Sequence, residues 1–321
     1  MCTYWPGPPT TLAIATFPCK LARIGWPTDT ITYLMAWFVR WDCLSSLNDG
    51  PSSRRRADTT MGTPKTSLPH TRMNQGIIMG TSTAAVTASP PVERLESGVA
   101  GVPLLRLMHL ASPTLPIGAF AYSQGLEQAI ELAWVNDEAS AADWILGLLS
   151  TGLGQLDLPI LARLHEAFDS GDDGATHRWS DFLFASRGSS ELQAEERHLG
   201  GALARVLDGL GVGGARDWLA APHVTHATMF ALAAVRWGIP LQAAASGYAF
   251  AWTEAQVAAA TRLCPLGQQA AQRILSRALP ILDRAVASAL NLHDDEIGAA
   301  SPAQAIASAL HETLYSRLCR S

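Results

Sequence analysis

Lysine is almost missing from this chain: among 321 residues only Lys20 and Lys65 carry an ammonium side chain. A phosphate-binding G-x-x-x-x-G-K-[ST] loop is therefore excluded beyond Lys65, and any nucleotide chemistry connected with the body falls to a partner. Cysteine is scarce as well. The five present are Cys2, Cys19, Cys43, Cys264 and Cys319, with no C-x-x-C pair, which excludes a cysteine-based zinc site and a disulfide framework and fits a reduced, cytosolic compartment. The first 78 residues lack any sustained period of 2 or 3.6, and their one strong apolar run, "ITYLMAWFV" (31–39), is too short to span a bilayer. No basic n-region with an apolar h-region and an A-x-A site opens the chain, so a secretory signal is not expected.

What is present divides in two. Before Met79 there are 8 Lys/Arg and 4 Asp/Glu, together with four of the ten tryptophans; from Met79 on there are 15 arginines against 24 acids. An acidic body argues against nucleic acid or an anionic membrane as the partner and leaves proteins or cations. Residues 1–103 read as an extension and linker, with 81–98 a flexible lead-in. Of residues 1–78 there are two readings, an unusual targeting arm or upstream sequence translated from a wrongly assigned start, with Met61, Met73 or Met79 as the true one; the second is adopted. The domain is expected over 104–321. With 48% hydrophobic and 16% charged residues, the chain is expected to be globular.

The body reads as about ten helices and no sheet, an all-α domain. "DEASAADWILGLLSTGL" (137–153) opens with acids suited to a helix N-terminus and sets Trp144, Leu148 and Leu149 on one stripe. "LPILARLHEAF" (158–168) places Pro159 in a first turn. "SSELQAEERHLGGALARVLDGLG" (189–211) puts Leu192, Leu199, Leu203, Val206 and Leu210 on one face and its charges on the other. Pro280 is expected to kink a later helix. Ser301-Pro302-Ala303-Gln304 reads as an N-cap with a capping box, followed by an Ile306, Leu310, Leu314 stripe.

Several stretches carry residues of site type. Ala121-Tyr122-Ser123-Gln124-Gly125 is one glycine short of G-x-S-x-G. A nucleophile elbow needs a buried strand before the serine, and "ASPTLPIGAF" supplies two prolines instead. A helical reading puts Phe120, Leu126 and Ile130 on one face, with Gly125 allowing another helix close. "HETLY" (311–315) has Tyr315 where a zinc protease needs its second histidine. His223 and His226 are spaced to chelate one metal ion if both lie on a helix, but no third ligand is in view. "RGSSELQAEER" (187–197) groups Glu191, Glu195 and Glu196 between Arg187 and Arg197, a partner surface or a solvated helix face. The tail "YSRLCRS" carries Tyr315, Leu318, Arg317 and Arg320, residue types that anchor interfaces; a frayed terminus is the alternative.

"LLRLMHLASPTLPIGAFAYSQGLEQAI", "ELQAEERHLGGAL", "RWGIPLQAAASGY", "CPLGQQAAQRIL" and "ALHETLYSRLCRS", in this order from about Leu104 to Ser321, resemble the UreF family of urease accessory proteins. The resemblance implies a non-enzymatic, dimerising, cytosolic all-α adaptor. It implies a complex with UreD (also called UreH), the GTPase UreG and apo-urease, in which GTP hydrolysis is coupled to nickel insertion. Nickel is then handled by the complex and GTP by UreG, with no cofactor held stably here. By the same resemblance, Tyr122, Ser123, Gln124, Gly125 and Glu127 belong to a packing and partner-contact surface, as do His311, Glu312, Tyr315, Ser316, Arg317, Leu318, Arg320 and Ser321. Ala119 and Ala121 depart from the family's G-G-F-S-Y-S-x-G-L-E, and Cys319 takes the place of phenylalanine in its R-L-F-R-S. Two other classes remain open: a stand-alone nickel-binding protein using His223 and His226, and a serine hydrolase using Ser123. A chain begun at Met79 should show the same helicity per body residue and activate urease as the full chain does, read by circular dichroism and a urease activation assay.

Overall fold

The computed structural model describes residues 99–298 and 301–321, and the readings made for residues 1–98 lie outside them. Among the described residues there are ten α-helices and no strand. They are α1 (Gly101–Leu110), α2 (Leu126–Glu131), α3 (Glu138–Leu148), α4 (Leu158–Ser170), α5 (Asp173–Ala185) and α6 (Ser190–Gly209). Then follow α7 (His226–Arg236), α8 (Leu241–Leu263), α9 (Gln268–Ala289) and α10 (Pro302–His311). The all-α expectation holds.

The central element is longer than the sequence suggests. Asp137 caps α3 by accepting the Ser140 N–H at 2.8 Å, and Asp137 N–H donates back to Ser140 Oγ at 3.1 Å. From there α3 runs through a π-helical stretch, Leu149–Asp157, into α4, one helical run from Glu138 to Ser170. Pro159 lies in the first turn of α4, as read, although α4 continues the π-helical stretch without a break. Proline has no N–H to give the carbonyl four residues back. That carbonyl, Gln155 O, instead accepts the Gly298 N–H at 3.0 Å. The chain passes through the proline because a distant backbone group takes up the orphaned acceptor, and the widened turns accommodate the ring.

By length and composition this run could cross a membrane, with a mean hydropathy of 1.4, but two-thirds of the qualifying window is buried inside the fold. Leu158, Ile160, Leu161 and Leu164 have no exposed surface, so the hydrophobicity is that of a core helix. α7 lies against α4, its residues Ala227 to Ala234 all buried. α5, α6, α8 and α9 pack around this pair, α1 lies on α8, and α10 lies on α2 and α6.

Several faces differ from expectation. On α6 the buried set is Leu192, Leu199, Leu203, Ala204 and Leu207, while Val206 is half-buried and Leu210 exposed. Glu195 and Glu196 are on the inside too, which overturns the solvated-face reading. Phe120 is exposed in a short 3-10 turn and does not share a helix face with Leu126 and Ile130, because α2 begins only at Leu126. Pro280 sits within α9 on its exposed side. Ser301 does not cap α10: its hydroxyl is taken by Thr151 Oγ1 at 2.9 Å. The buried face of α10 is Ala307, Ser308 and His311, with Ile306, Leu310 and Leu314 half-buried.

Where α6 crosses the start of α7, a side chain on Gly200 would meet the Thr225 and Val224 backbone at 2.7–2.8 Å. Backbone cannot rotate away as a side chain can. Gly200→Ala should cost about 1–3 kcal/mol in urea unfolding, in the range of overpacked cores.

Candidate functional site

The motif around Ser123 is irregular backbone, and its irregularity has a geometric use. Gln124 lies at φ 53 and Gly125 at φ 86, both left-handed. This sharp turn stops Tyr122 in extended conformation and starts α2. At Gly125, a Cβ would meet Ala307 Cβ and Ser308 N at 3.2 Å. The absent side chain is what lets α10 lie against the turn, as the helical reading anticipated for this glycine.

α10 then delivers the tail. The segment from Tyr315 doubles back onto the turn: Arg320 N–H donates to Ala121 O at 2.8 Å and Ser123 N–H to Ser321 O at 3.1 Å. The Ser123 hydroxyl also donates to Ser321 O. Glu127, in the first turn of α2, accepts the Leu318 N–H at 2.7 Å and the Cys319 N–H at 2.8 Å. The same carboxylate faces His311 Nε2 at 3.1 Å, and His311 Nδ1 faces Glu191 at 2.7 Å. Arg317 donates to Glu191 at 2.6 Å, so an alternating acid–base chain runs Glu127–His311–Glu191–Arg317. Glu312 accepts from Ser190 N–H and Oγ, fastening the end of α10 to the start of α6.

Below the tail lies a second polar cluster. Arg187 donates to both oxygens of Asp157 and to Glu196, all three side chains largely buried. Glu196 also accepts the His226 N–H at 3.0 Å, tying in α7. Next to it, Glu195 accepts from Gln124 Nε2 at 2.7 Å and from Ser321 Oγ at 2.9 Å. The Gln124 oxygen in turn accepts Trp252 Nε1–H at 3.0 Å. Burial pushes Glu195 up to about 7, with neighbouring Glu196 adding to the rise. Burial raises Asp157 as well and drops His226 to about 4.

The residues singled out from the sequence thus converge, and many of them serve the packing part of the role read for them. Ser123, His311 and Ser321 have no exposed surface, and Tyr122, Gly125, Glu127, Glu195 and Glu196 are also buried. These hold the tail and cannot themselves form an open contact surface. The tail is neither frayed nor free, since Cys319 and Ser321 are buried. Gln124, Arg187 and Glu191 are half-buried, while Arg197, Glu312, Tyr315, Ser316, Arg317, Leu318 and Arg320 face outward. Ser123 has no imidazole among its hydrogen-bond partners, and among the described residues no strand precedes it. His223 precedes the Thr225 cap of α7 and bonds Asp181 at 2.9 Å while stacking on Phe184. His226 lies instead against Tyr248 and Phe230, so the two imidazoles meet different aromatic partners. Among the described residues no group of three or more His, Cys, Asp or Glu side chains is placed to hold a metal ion.

A family model described as UreF matches residues 135–279. A protein of Alkalilimnicola ehrlichii named "Urease accessory protein UreF" is 48% identical over 221 residues, 69% of this chain and 97% of that one. Relatives with the same name from Chromohalobacter salexigens and Hahella chejuensis are 49% and 45% identical, over 94% and 98% of their lengths. This chain belongs to the UreF family. It is a member of the urease accessory proteins, and these UreF relatives are matched over nearly their whole length by about two-thirds of the chain.

Asp157, Trp252 and His198 escaped the sequence reading. For Asp157 a signal existed: it is the lone acid in the apolar run "LGQLDLPILA" (153–162), where a charge demands a partner. His198, which meets the Tyr122 hydroxyl at 2.8 Å, and Trp252 gave none. Arg187→Ala would leave Asp157 and Glu196 buried without their cation. It should lower unfolding free energy by about 3–5 kcal/mol in denaturant titration.

Proposed function

We propose that this UreF-family chain is a non-enzymatic adaptor that joins a UreD-like protein and a UreG-like GTPase on apo-urease, where nickel is cargo and GTP belongs to the GTPase. The body acts as a dimer in the cytoplasm. The observation that carries this reading is the outward presentation of Tyr315 and Leu318 on a backbone that is itself fixed. Tyr315 is fully exposed and Leu318 is 78% exposed, yet the adjoining amides are anchored on Glu127. An exposed aromatic and leucine held in place suit an interface anchor, because ordering entropy is already spent before the partner arrives. Phe120 adds an exposed ring beside Ala121, the residue on which Arg320 rests. Arg317 and Arg320 lie on the same short segment and can offer bidentate forks to partner carboxylates.

The family relationship supports the urease context, since the relatives bear the name urease accessory protein. The geometry at Ser123 favours a structural over a nucleophilic role, because its hydroxyl is occupied by Ser321. Residues 1–78 are read as dispensable to this role.

Replacing Tyr315 and Leu318 together by alanine touches two solvent-facing side chains and should leave helicity and melting temperature within error. Capture of a purified UreD-like protein should weaken at least tenfold, about 1.4 kcal/mol or more. The pull-down is run with circular dichroism as folding control, and full-strength capture by the folded double variant would count against the tail as the contact.

A further inference from the structure

The cluster beneath the tail has more acid than base. Asp157, Glu195 and Glu196 are buried together, and Arg187 is the guanidinium among them, already engaged by Asp157 and Glu196. Glu195 is left with neutral donors only, Gln124 Nε2 from the motif turn and Ser321 Oγ from the tail. An ionised Glu195 in this place is a buried charge without an opposite charge of its own. We propose that Glu195 is a positioning residue for the tail, and that its proton decides the docking: a protonated Glu195 holds Ser321, and an ionised one releases it.

Other titratable groups face the site from each side. Glu196 lies next to it on α6, Tyr122 sits on the motif segment, and Tyr248 approaches from α8. Arg320, in the tail, pulls on Tyr122, and the Glu127–His311–Glu191 chain flanks the other side of the tail. None of these gives Glu195 a direct salt bridge. With the tail docked, burial holds the Glu195 carboxyl near 7. With the tail released, water reaches the carboxyl and its value falls toward the ordinary 4.5. The docked state therefore binds the proton more tightly. Docking is strongest below the ordinary value, weakens by up to about tenfold per pH unit as pH rises toward 7, and levels off above it. The neutral side chain can meet both neighbours, since a carboxylic acid donates as well as accepts.

This rests on the tail being the partner-bearing element only for its biological use; the docking itself is measured on the isolated full chain. Hydrogen–deuterium exchange at the Arg320 amide, which donates to Ala121 O, reports tail release after correction for the intrinsic effect of pH. Protection should fall on the order of tenfold between pH 5.5 and 7.5. Glu195→Gln mimics the protonated acid and should keep the low-pH protection throughout. Ser321→Ala, which removes one donor from the carboxylate while the tail backbone keeps its bonds to Ala121 and Ser123, should move the midpoint to higher pH. A wild-type profile that is flat, a Glu195→Gln profile that still falls, or an unmoved midpoint in Ser321→Ala would each overturn the proposal. Partner capture plays no part in these readings, so they stand or fall separately from the adaptor role.

Discussion

One guanidinium fixes the relation between the long central helix and α6. Arg187 meets Asp157, at the end of the π-helical stretch, and Glu196, one and a half turns into α6. Such a triad is a poor source of net stability, since desolvating three ions costs about what their attraction returns. Its value is in register. Sliding α6 by one residue would leave a carboxylate without its cation, and a bare buried charge is far more costly than a lost van der Waals contact. With Glu196 fixed, the preceding residues of α6 are fixed too, and Glu195 and Glu191 are carried to the motif turn and to His311. Gly200, one turn further on, lets that helix close on the Thr225 backbone. The docked tail is therefore a consequence of where Arg187 stands.

The fold was legible because helices are written locally. Periodicity and caps each concern residues a few positions apart, and left-handed glycines, Gly171 and Gly238, follow the ends of α4 and α7. What was not legible came from partners far away in sequence. Pro159 marks a first turn, but the donor that replaces its own on Gln155 comes from Gly298. Glu195 and Glu196 look solvated because charges on a helix usually are, and nothing local shows Asp157 and Arg187 waiting inside. The tail read as an interface segment or a frayed terminus because no local apolar face awaited it. Its acceptor, Glu127, lies 191 residues upstream of Leu318.

The segment Tyr122 to Glu127 shows why a motif can resemble a catalytic one without its chemistry. A nucleophile elbow also demands small residues, a sharp turn and a serine, because a backbone must be bent tightly to point one hydroxyl at a target. Here the same bend serves a different end. Gly125 yields space to α10, Ser123 directs its hydroxyl to Ser321, and Glu127 starts α2 where a carboxylate is favoured by the helix N-terminus. The carboxylate then collects donors from the tail. Each position is explained by geometry and hydrogen bonding alone.

The tail is held by polar contacts while its apolar side chains stay outside. Cys319 is the one apolar side chain in the segment Tyr315–Ser321 that is buried. A tail anchored by leucines in a groove would be bound through burial, which changes little with pH or with competition for hydrogen bonds. This one is bound through amides and hydroxyls on carboxylates, each worth about 1.5–3 kcal/mol net in competition with water. Such an attachment is ordered yet exchangeable. The backbone contacts set the position of Tyr315 and Leu318, and a partner that rewards a slightly different position can shift them without first emptying a hydrophobic pocket. Had Tyr315 and Leu318 been the anchors, the residues best suited to recognition would have been spent on the fold.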